Sequence, residues 1–244
     1  MDRNQASGTL RDARVLITGG TSGLGLALVR ELRAHGARIA FVARAAGRVH
    51  EVAQRTGAHG IVGDVARKSD IHRIALQATA LLGGIDILVN NASTLGPVPL
   101  RPLSDTECED FEAALAANLL GPFRLTKALL GSLVGAAEEG RGGVVLNIGS
   151  DAGIAAYAGW GAYGASKAAL LHMSRIWDEE LAGHRVRVRC VDPGDMDTPM
   201  HALALPDADR AALARPDDVA QALRALLESE LAQSRNGAAL ADAS

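Results

Sequence analysis

Hydrophobic residues follow two alternating patterns along this chain: short unbroken runs, and longer stretches with helical spacing. A short run such as Val15-Leu16-Ile17 is typical of a strand buried on both faces. The longer stretches repeat apolar residues every three or four positions, as a helix with one buried face does. The predicted strands are residues 15–18, 38–43, 60–63, 85–90, 143–148 and 185–191, and the predicted helices are residues 25–35, 66–82, 106–134 and 162–182. This alternation predicts an α/β fold with a parallel sheet, helices on both faces and right-handed crossovers.

In such a sheet, ligands bind beyond the carboxyl ends of the strands. Several polar, glycine and proline residues end or directly follow a predicted strand, and we expect them to converge at one edge of the sheet: Gly19, Arg44, Asp64, Asn90, Ser150 and Pro193.

Length and composition favour one ordinary globular domain. At 244 residues, we expect a single catalytic domain over residues 14–244, preceded by a flexible arm of residues 1–13. The net charge of −3 provides no basic surface for nucleic acid or an anionic membrane. Two cysteines give no disulfide framework, and neither a signal-peptide core nor a long apolar run occurs, so a cytoplasmic location is expected. The seven histidines are dispersed without metal-ligand spacing, so no metal is expected.

A glycine-rich turn joins the first predicted strand to the first predicted helix. It reads Thr18-Gly19-Gly20-Thr21-Ser22-Gly23-Leu24-Gly25. Glycines let the backbone approach a pyrophosphate closely, and the helix N-terminus offers free N–H groups and a favourable dipole. An ordinary strand-to-helix turn is the alternative, but the strand–turn–helix context favours dinucleotide binding.

A second candidate site lies near the middle of the chain, where Tyr163 and Lys167 are four residues apart on a predicted helix and share one face. An adjacent ammonium is expected to lower the pKa of the phenol, which could then exchange a proton with a carbonyl or an alcohol. Ser150 precedes the tyrosine by thirteen residues. Alone, such a pair is more often a solvated lysine beside a half-buried tyrosine, and Ser150 could simply cap a turn.

Together these motifs resemble the short-chain dehydrogenase/reductase family over nearly the whole chain. Thr18 to Gly25 is similar to its TGxxxGxG turn, and Asn90-Asn91-Ala92-Ser93 to its NNAG stretch, with Ser93 where glycine is usual. The remaining matches are the pair Asp64-Val65, Asn118 in a long helix, Ser150, Tyr163 and Lys167, and Asp192-Pro193-Gly194 followed by Thr198. The resemblance implies a Rossmann-type doubly wound parallel sheet in a three-layer αβα arrangement, with a small-molecule carbonyl or alcohol as substrate.

The resemblance also implies a role for each matching residue. Tyr163 is the expected general acid and base, Lys167 its partner and a ligand of the nicotinamide ribose, and Ser150 the holder of the substrate oxygen. Asn118 would position a water for proton relay to Lys167, although it could instead hydrogen-bond backbone within its helix. The expected cofactor-binding residues are Gly19, Thr21, Ser22, Gly23, Leu24, Gly25, Arg44, Asp64, Val65, Asn91, Ala92, Tyr163, Lys167, Pro193, Gly194, Met196 and Thr198.

The end of the second strand indicates the cofactor. NAD-binding folds place an acidic residue there, about twenty positions after the glycine turn. This chain has Ala43 instead, followed by Arg44, which could pair with the 2′-phosphate of NADP. NADP(H) is therefore the expected cofactor, with NAD(H) possible, unless Arg44 is only a surface charge. Arg48, one turn further on, could assist.

Around the expected substrate entrance, the candidate pocket walls are Asp151, Tyr157, Trp160 and Met200. Asp151, Asp195 and Asp197 would make the entrance unfavourable for anions, unless they face solvent or cap a helix. The segment after Thr198 is short, which implies a small lid over the substrate.

The family's usual pair of dimer-forming helices corresponds to residues 106–134 and 162–182, so a homodimer is expected and a homotetramer possible. Residues 234–244 offer at most a short, weak strand where relatives end in a hydrophobic strand.

Two other functions compete with the enzymatic one. A serine hydrolase would need GxSxG, and the glycine spacing around Ser150 is wrong for that motif. A catalytically silent dinucleotide-sensing protein would keep the turn without needing Ser150, Tyr163 and Lys167.

Overall fold

The computed structural model describes residues 8–241, with side chains described for residues 8–236. Six parallel strands form one sheet in the order β3-β2-β1-β4-β5-β6. The strands are β1 Arg14–Thr18, β2 Arg38–Ala43, β3 His59–Val62, β4 Ile87–Asn90, β5 Gly143–Ile148 and β6 Val186–Val191. The helices are α1 Gly23–Ala34, α2 Ala46–Thr56, α3 Lys68–Leu82, α4 Cys108–Leu115, α5 Gly121–Glu138, α6 Gly161–Leu181, α7 Pro199–Ala204 and α8 Pro216–Ala241.

Helices cover both faces of the sheet. Successive residues of each strand point to opposite sides, and since both sides are apolar, both must be covered. In β1, Val15 and Ile17 pack against one layer of helices that includes α1 and α8. Leu16, between them, packs against the other layer, which includes α3 and α5. The predicted single-domain, three-layer α/β fold is confirmed.

The chain reverses its direction of winding between β1 and β4, which are neighbours in the sheet although two strands separate them in sequence. In open α/β sheets this switch point leaves a crevice beyond the carboxyl ends of the strands. The glycine turn after β1 and the loop after β4 therefore face each other at this edge.

Two parts of the chain differ from what the sequence indicated. The predicted helix over residues 106–134 is helical, but a π turn that was not predicted, Ala116–Leu120, separates α4 from α5 within it. Residues 234–244 offered at most a short, weak strand, and the described part of this segment is instead the end of α8, which continues to Ala241. The hydroxyl of Ser234 secures this helix to the sheet, accepting from the Gly143 amide at 2.8 Å and donating to the Arg185 carbonyl at 2.6 Å.

The predicted N-terminal arm lies partly outside the described residues, since residues 1–7 are not described. Within the rest of that segment, Leu10 and Ala13 are buried in the core beside α1. The division at residue 13 stays a prediction. Across residues 8–241, no helix is both long and apolar enough to cross a bilayer.

Candidate active site

The glycine turn packs so tightly that side chains would not fit at three of its positions, among them Gly20, where a Cβ would lie 2.6 Å from Phe41 Cβ. A Cβ on Gly25 would lie 2.2 Å from the Gly19 carbonyl oxygen, and one on Gly19 would lie 2.9 Å from Asn91 Nδ2. Gly19 and Gly23 also have positive φ angles of 72° and 50°. Ser22 begins α1 without a side-chain cap, so the first-turn N–H groups remain available for an anion. This cradle fits the pyrophosphate of a dinucleotide.

The loop after β4 is fixed to the glycine turn by hydrogen bonds to Thr18. The Thr18 hydroxyl accepts from the backbone N–H groups of Asn91 and Ala92, each at 3.0 Å. The Asn91 amide in turn donates to the Thr18 carbonyl at 2.8 Å. These contacts hold the two edges of the crevice at a constant separation.

Tyr163 and Lys167 lie on α6 and are both buried. The Lys167 ammonium nitrogen is 5.4 Å from the centroid of the Tyr163 ring and donates to the Ile148 carbonyl at 2.7 Å. Burial lowers the pKa of Lys167 to about 8. The lysine is therefore positioned by the carboxyl end of β5 as well as by its own helix.

The expectation that Lys167 lowers the pKa of Tyr163 is wrong for this structure. Burial raises the pKa of the Tyr163 phenol above its ordinary value, and hydrogen bonding by Ser150 opposes that rise. The carboxylates of Asp192, Asp151 and Asp195 raise the pKa of the phenol further. Tyr163 is thus held as a neutral phenol at neutral pH, in a field from the neighbouring carboxylates that disfavours negative charge.

Ser150 follows β5 directly, as predicted, and its side chain makes two further hydrogen bonds besides its interaction with Tyr163. The hydroxyl oxygen accepts from the Ala152 backbone N–H at 3.2 Å, which caps a short 3-10 turn, Asp151–Gly153. The hydroxyl donates to Asp151 Oδ1 at 3.1 Å. The turn-capping alternative and the catalytic one are therefore compatible, because the cap fixes where the hydroxyl stands.

Asn118 does not line the crevice, because the protein itself occupies its side chain completely. Its amide nitrogen donates to the Thr94 carbonyl at 2.8 Å and to Ser166 Oγ at 2.9 Å. Its amide oxygen accepts from the Thr94 N–H at 2.8 Å and from Ser93 Oγ at 3.1 Å. With all four positions used, this amide is left without a site for the relay water. Asn118 instead ties the π turn to the loop after β4 and to α6.

A single cavity of about 720 Å³ connects these groups. Every residue predicted to bind the cofactor lines it, from the glycine turn through Arg44, Asp64 and Val65 to Pro193, Gly194, Met196 and Thr198. Ser150, Tyr163 and Lys167 line the same cavity. Lining residues that the sequence did not single out include Arg67, Leu95 and His201.

The end of the cavity beside Tyr163 has an apolar wall. Leu95, Ala152 and Tyr163 form a buried cluster against which Trp160 and Met200 pack. The Trp160 ring meets the Tyr163 ring edge-on, with centroids 5.7 Å apart. Tyr157 does not line the cavity, but it contacts two residues that do: its hydroxyl donates to Asp151 Oδ2 at 2.8 Å, and its ring lies 6.5 Å from that of Trp160.

The three acids expected at the entrance have different partners. Asp197 makes a two-pronged ion pair with Arg210, at 2.9 and 3.0 Å, which closes the base of the segment carrying α7. Asp151 and Asp195 are exposed and line the cavity. Tyr157 is the main cause that lowers the pKa of Asp151, which keeps that carboxylate ionised. The entrance therefore carries net negative charge.

At the other end of the cavity, Arg44 is exposed and follows β2 directly. Among residues 8–236, no hydrogen bond or ion pair engages its guanidinium group. Arg48, expected to assist, does not line the cavity and pairs with Glu51 at 3.2 Å. Arg67 lines the cavity instead, with its guanidinium 3.9 Å from Asp64.

Comparison with known proteins identifies the family. A sequence model of the family described as short chain dehydrogenase matches residues 13–209. A 2-(R)-hydroxypropyl-CoM dehydrogenase from Xanthobacter autotrophicus is 33% identical over 76% of this chain and 75% of its own length. A cis-2,3-dihydrobiphenyl-2,3-diol dehydrogenase from a Pseudomonas strain is 37% identical over 80% of this chain and 70% of its own.

Among solved structures, a short chain dehydrogenase from Shigella flexneri in complex with NADP superimposes with a TM-score of 0.82. It is 26% identical, and the match covers 91% of this chain and 93% of that one. The chain belongs to the short-chain dehydrogenase family. It is an oxidoreductase of that family, built on an NAD(P)-binding Rossmann fold, and acts on alcohol or carbonyl groups.

Proposed function

We propose that the protein is an NADP(H)-dependent oxidoreductase that interconverts a carbonyl and a secondary alcohol on a small molecule. Tyr163 is the general acid and base, Ser150 holds the reacting oxygen, and Lys167 binds the nicotinamide ribose. The observation that carries the proposal is that these three side chains and the glycine cradle line one cavity.

Tyr163 has a proton to give to a carbonyl oxygen as that oxygen gains charge, because its phenol is neutral at neutral pH. Burial raises the pKa of the phenol and so weakens it as an acid, and the hydrogen bond from Ser150 opposes that rise. Lys167, on the same helix with its ammonium nitrogen 5.4 Å from the centre of the Tyr163 ring, is the proposed ligand of the nicotinamide ribose. The hydride is the chemistry that the nicotinamide supplies when bound. These side chains position the substrate and move the proton.

The preference for NADP(H) is supported by the end of β2. Ala43 carries no carboxylate that would repel a 2′-phosphate, and Arg44 offers an unengaged guanidinium beside the cavity. The Shigella flexneri relative was solved with NADP, which agrees with this choice. The two relatives by sequence, a hydroxypropyl-CoM dehydrogenase and a diol dehydrogenase, agree with an alcohol as one side of the reaction.

Small molecules are the proposed substrates, in a cytoplasmic protein whose catalytic domain spans residues 14–244.

A homodimer is the proposed assembly. An apolar surface, here called the α5–α6 surface and formed by Leu120, Phe123, Ile176 and Trp177, extends across these two helices. Leu120, Phe123 and Ile176 are exposed, and the Phe123 and Trp177 rings are 6.2 Å apart. Covering this surface with a second copy would remove its apolar area from water.

The test of the catalytic proposal is Tyr163→Phe, assayed by NADPH consumption against a panel of ketones and aldehydes. General acid catalysis contributes about 100-fold to 10 000-fold, so turnover is expected to fall by that factor. NADPH binding, followed by the cofactor's fluorescence, is expected to survive because the glycine cradle is untouched. Tyr157→Phe is the comparison variant, since it removes the same hydroxyl from a tyrosine outside the cavity. Because that hydroxyl binds Asp151 beside Ser150, the expected loss is much smaller than that of Tyr163→Phe rather than zero.

If Tyr163→Phe keeps more than about a tenth of the wild-type rate, the role of Tyr163 as general acid is refuted. If the wild type binds NADPH but reduces no carbonyl and oxidises no alcohol, the competing account of a silent dinucleotide-binding protein replaces this one.

A further inference from the structure

Asp151 follows Ser150 in the sequence and accepts a hydrogen bond from its hydroxyl. The Ser150 hydroxyl donates to Asp151 Oδ1 at 3.1 Å, while Asp151 Oδ2 accepts from Tyr157 at 2.8 Å. A serine hydroxyl has one proton to donate. To hold a carbonyl oxygen as negative charge develops on it, Ser150 must therefore withdraw its proton from Asp151.

Withdrawing that proton has a cost that depends on the substrate. Asp151 Oδ1 would lose a charge-assisted hydrogen bond and would face the oxygen that is gaining charge. A hydroxyl on the substrate, donating to Asp151 Oδ1, would replace Ser150 as the partner. Ser150 would then be free to donate to the reacting oxygen.

The distances fit a hydroxyl on the carbon next to the reacting one. Asp151 Oδ1 is one hydrogen-bond length from Ser150 Oγ, which is itself one hydrogen-bond length from any oxygen it holds. The two oxygens of a vicinal pair are separated by a similar length. Ser150 can therefore donate to the reacting oxygen while the substrate hydroxyl donates to the carboxylate beside it.

We propose that Asp151 is a specificity-determining residue, and that the substrate carries a neutral hydroxyl beside the reacting carbon, as an α-hydroxy ketone or the corresponding vicinal diol. This inference rests on the proposed function and adds the substrate class. Asp195, also ionisable and exposed on the cavity wall, strengthens the discrimination against anions. The apolar wall formed by Leu95, Trp160 and Met200 suits a hydrocarbon group on the other side of the carbonyl.

Three ketones that share a phenyl group test the idea: acetophenone, 2-hydroxyacetophenone and phenylglyoxylate. They carry, respectively, no donor, a neutral hydroxyl and a carboxylate beside the carbonyl. In the reduction the carbonyl carbon gains a hydride from NADPH, which becomes NADP⁺, and its oxygen gains the Tyr163 proton, which water then replaces. The wild type is expected to favour 2-hydroxyacetophenone over acetophenone by about tenfold to hundredfold in kcat/KM, and phenylglyoxylate least.

Asp151→Ala removes the acceptor and is expected to abolish most of this preference, because the acetophenone rate changes much less than the 2-hydroxyacetophenone rate. Asp195→Ala is the matched control: it removes the same charge from the same cavity without touching Ser150, so it should change both neutral ketones by one common factor. Binding gives a second readout. Calorimetry on the Tyr163→Phe protein with NADPH should show tighter binding of 2-hydroxyacetophenone than of acetophenone.

The outcomes separate this inference from the proposed function. Equal kcat/KM values for the two neutral ketones, or a preference that survives Asp151→Ala, would overturn the role of Asp151 while the reductase function stands. No NADPH consumption with these ketones or with any other carbonyl would contradict both.

Discussion

Replacing Arg44 by alanine is expected to weaken NADPH binding while leaving NADH binding nearly unchanged. The guanidinium lies at the edge of the cavity, directly after β2, and has no partner among residues 8–236. Its contact with a 2′-phosphate would therefore not compete with an existing ion pair. A charge-assisted contact contributes on the order of 1.5–3 kcal/mol, which corresponds to roughly a tenfold to hundredfold loss of NADPH affinity.

The complementary change is Ala43→Asp, at the last residue of β2. A carboxylate at this position would accept from the ribose hydroxyls of NADH and repel the 2′-phosphate of NADPH. The preference is therefore expected to invert. Ala43 is half-buried, pairs with Val62 of β3 and lines the cavity, so a thermal melt should accompany the assay.

Calorimetric titration of NADPH and NADH into the wild type and both variants decides the question. Arg48→Ala provides the matched control, because Arg48 is four residues away, pairs with Glu51 and does not line the cavity. It should leave both affinities as they are. Equal wild-type affinities for the two cofactors, or equal losses for both in Arg44→Ala, would refute the reasoning.

Two other predictions concern stability and assembly. Folding lowers the pKa of Lys167 from 10.5 to about 8. Between these pH values the folded state has released the proton while the unfolded state still holds it, so the free energy of unfolding of the wild type increases as pH rises. Measured by urea denaturation, the free energy of unfolding of the wild type should increase by about 3 kcal/mol over this pH range relative to that of Lys167→Met. A difference between the two proteins that does not change with pH would contradict the burial of this charge. Phe123→Arg is expected to convert a dimer to monomer in sedimentation velocity, whereas Leu76→Arg, at an exposed leucine on α3, is not. A wild-type monomer at micromolar concentration would refute the proposed assembly.

The parts of the fold set by local pattern could be predicted from the sequence. The unbroken apolar runs placed β2 and β5 with the bounds that the structure has. The convergence of Gly19, Arg44 and Ser150 also followed, because parallel strands bring their carboxyl ends to one edge. These conclusions need only neighbouring residues and the geometry of a parallel sheet.

The features that were missed depend on contacts between distant residues. The π turn at Asn118 is fixed by Thr94 and Ser166, which lie 24 and 48 residues away in sequence. The pKa of Tyr163 depends on how deeply α6 is buried and on carboxylates from two other segments. Asp197 is paired with Arg210, which lies 13 residues further along the chain, and no local pattern predicts that contact.

The extension of α8 is a different kind of error, because local signals for it were present. The sequence Ala238-Ala239-Leu240 is rich in strong helix formers. Compared only with the strand that ends the family's chains, these residues offered at most a short, weak one. Helix propensity was the better guide here, as the described backbone is helical to Ala241.

The central claim is that Tyr163 protonates a carbonyl as NADPH reduces it. The most direct test is transfer of deuterium from NADPH labelled at C4, followed by mass spectrometry of the alcohol formed from 2-hydroxyacetophenone and the other ketones. The account predicts one deuterium on the carbinol carbon with the wild type, and a rate of labelled product reduced by about 100-fold or more with Tyr163→Phe. Two results would contradict the claim. One is an alcohol that carries no deuterium when either face of C4 of NADPH is labelled, and the other is labelled alcohol formed by Tyr163→Phe at the wild-type rate.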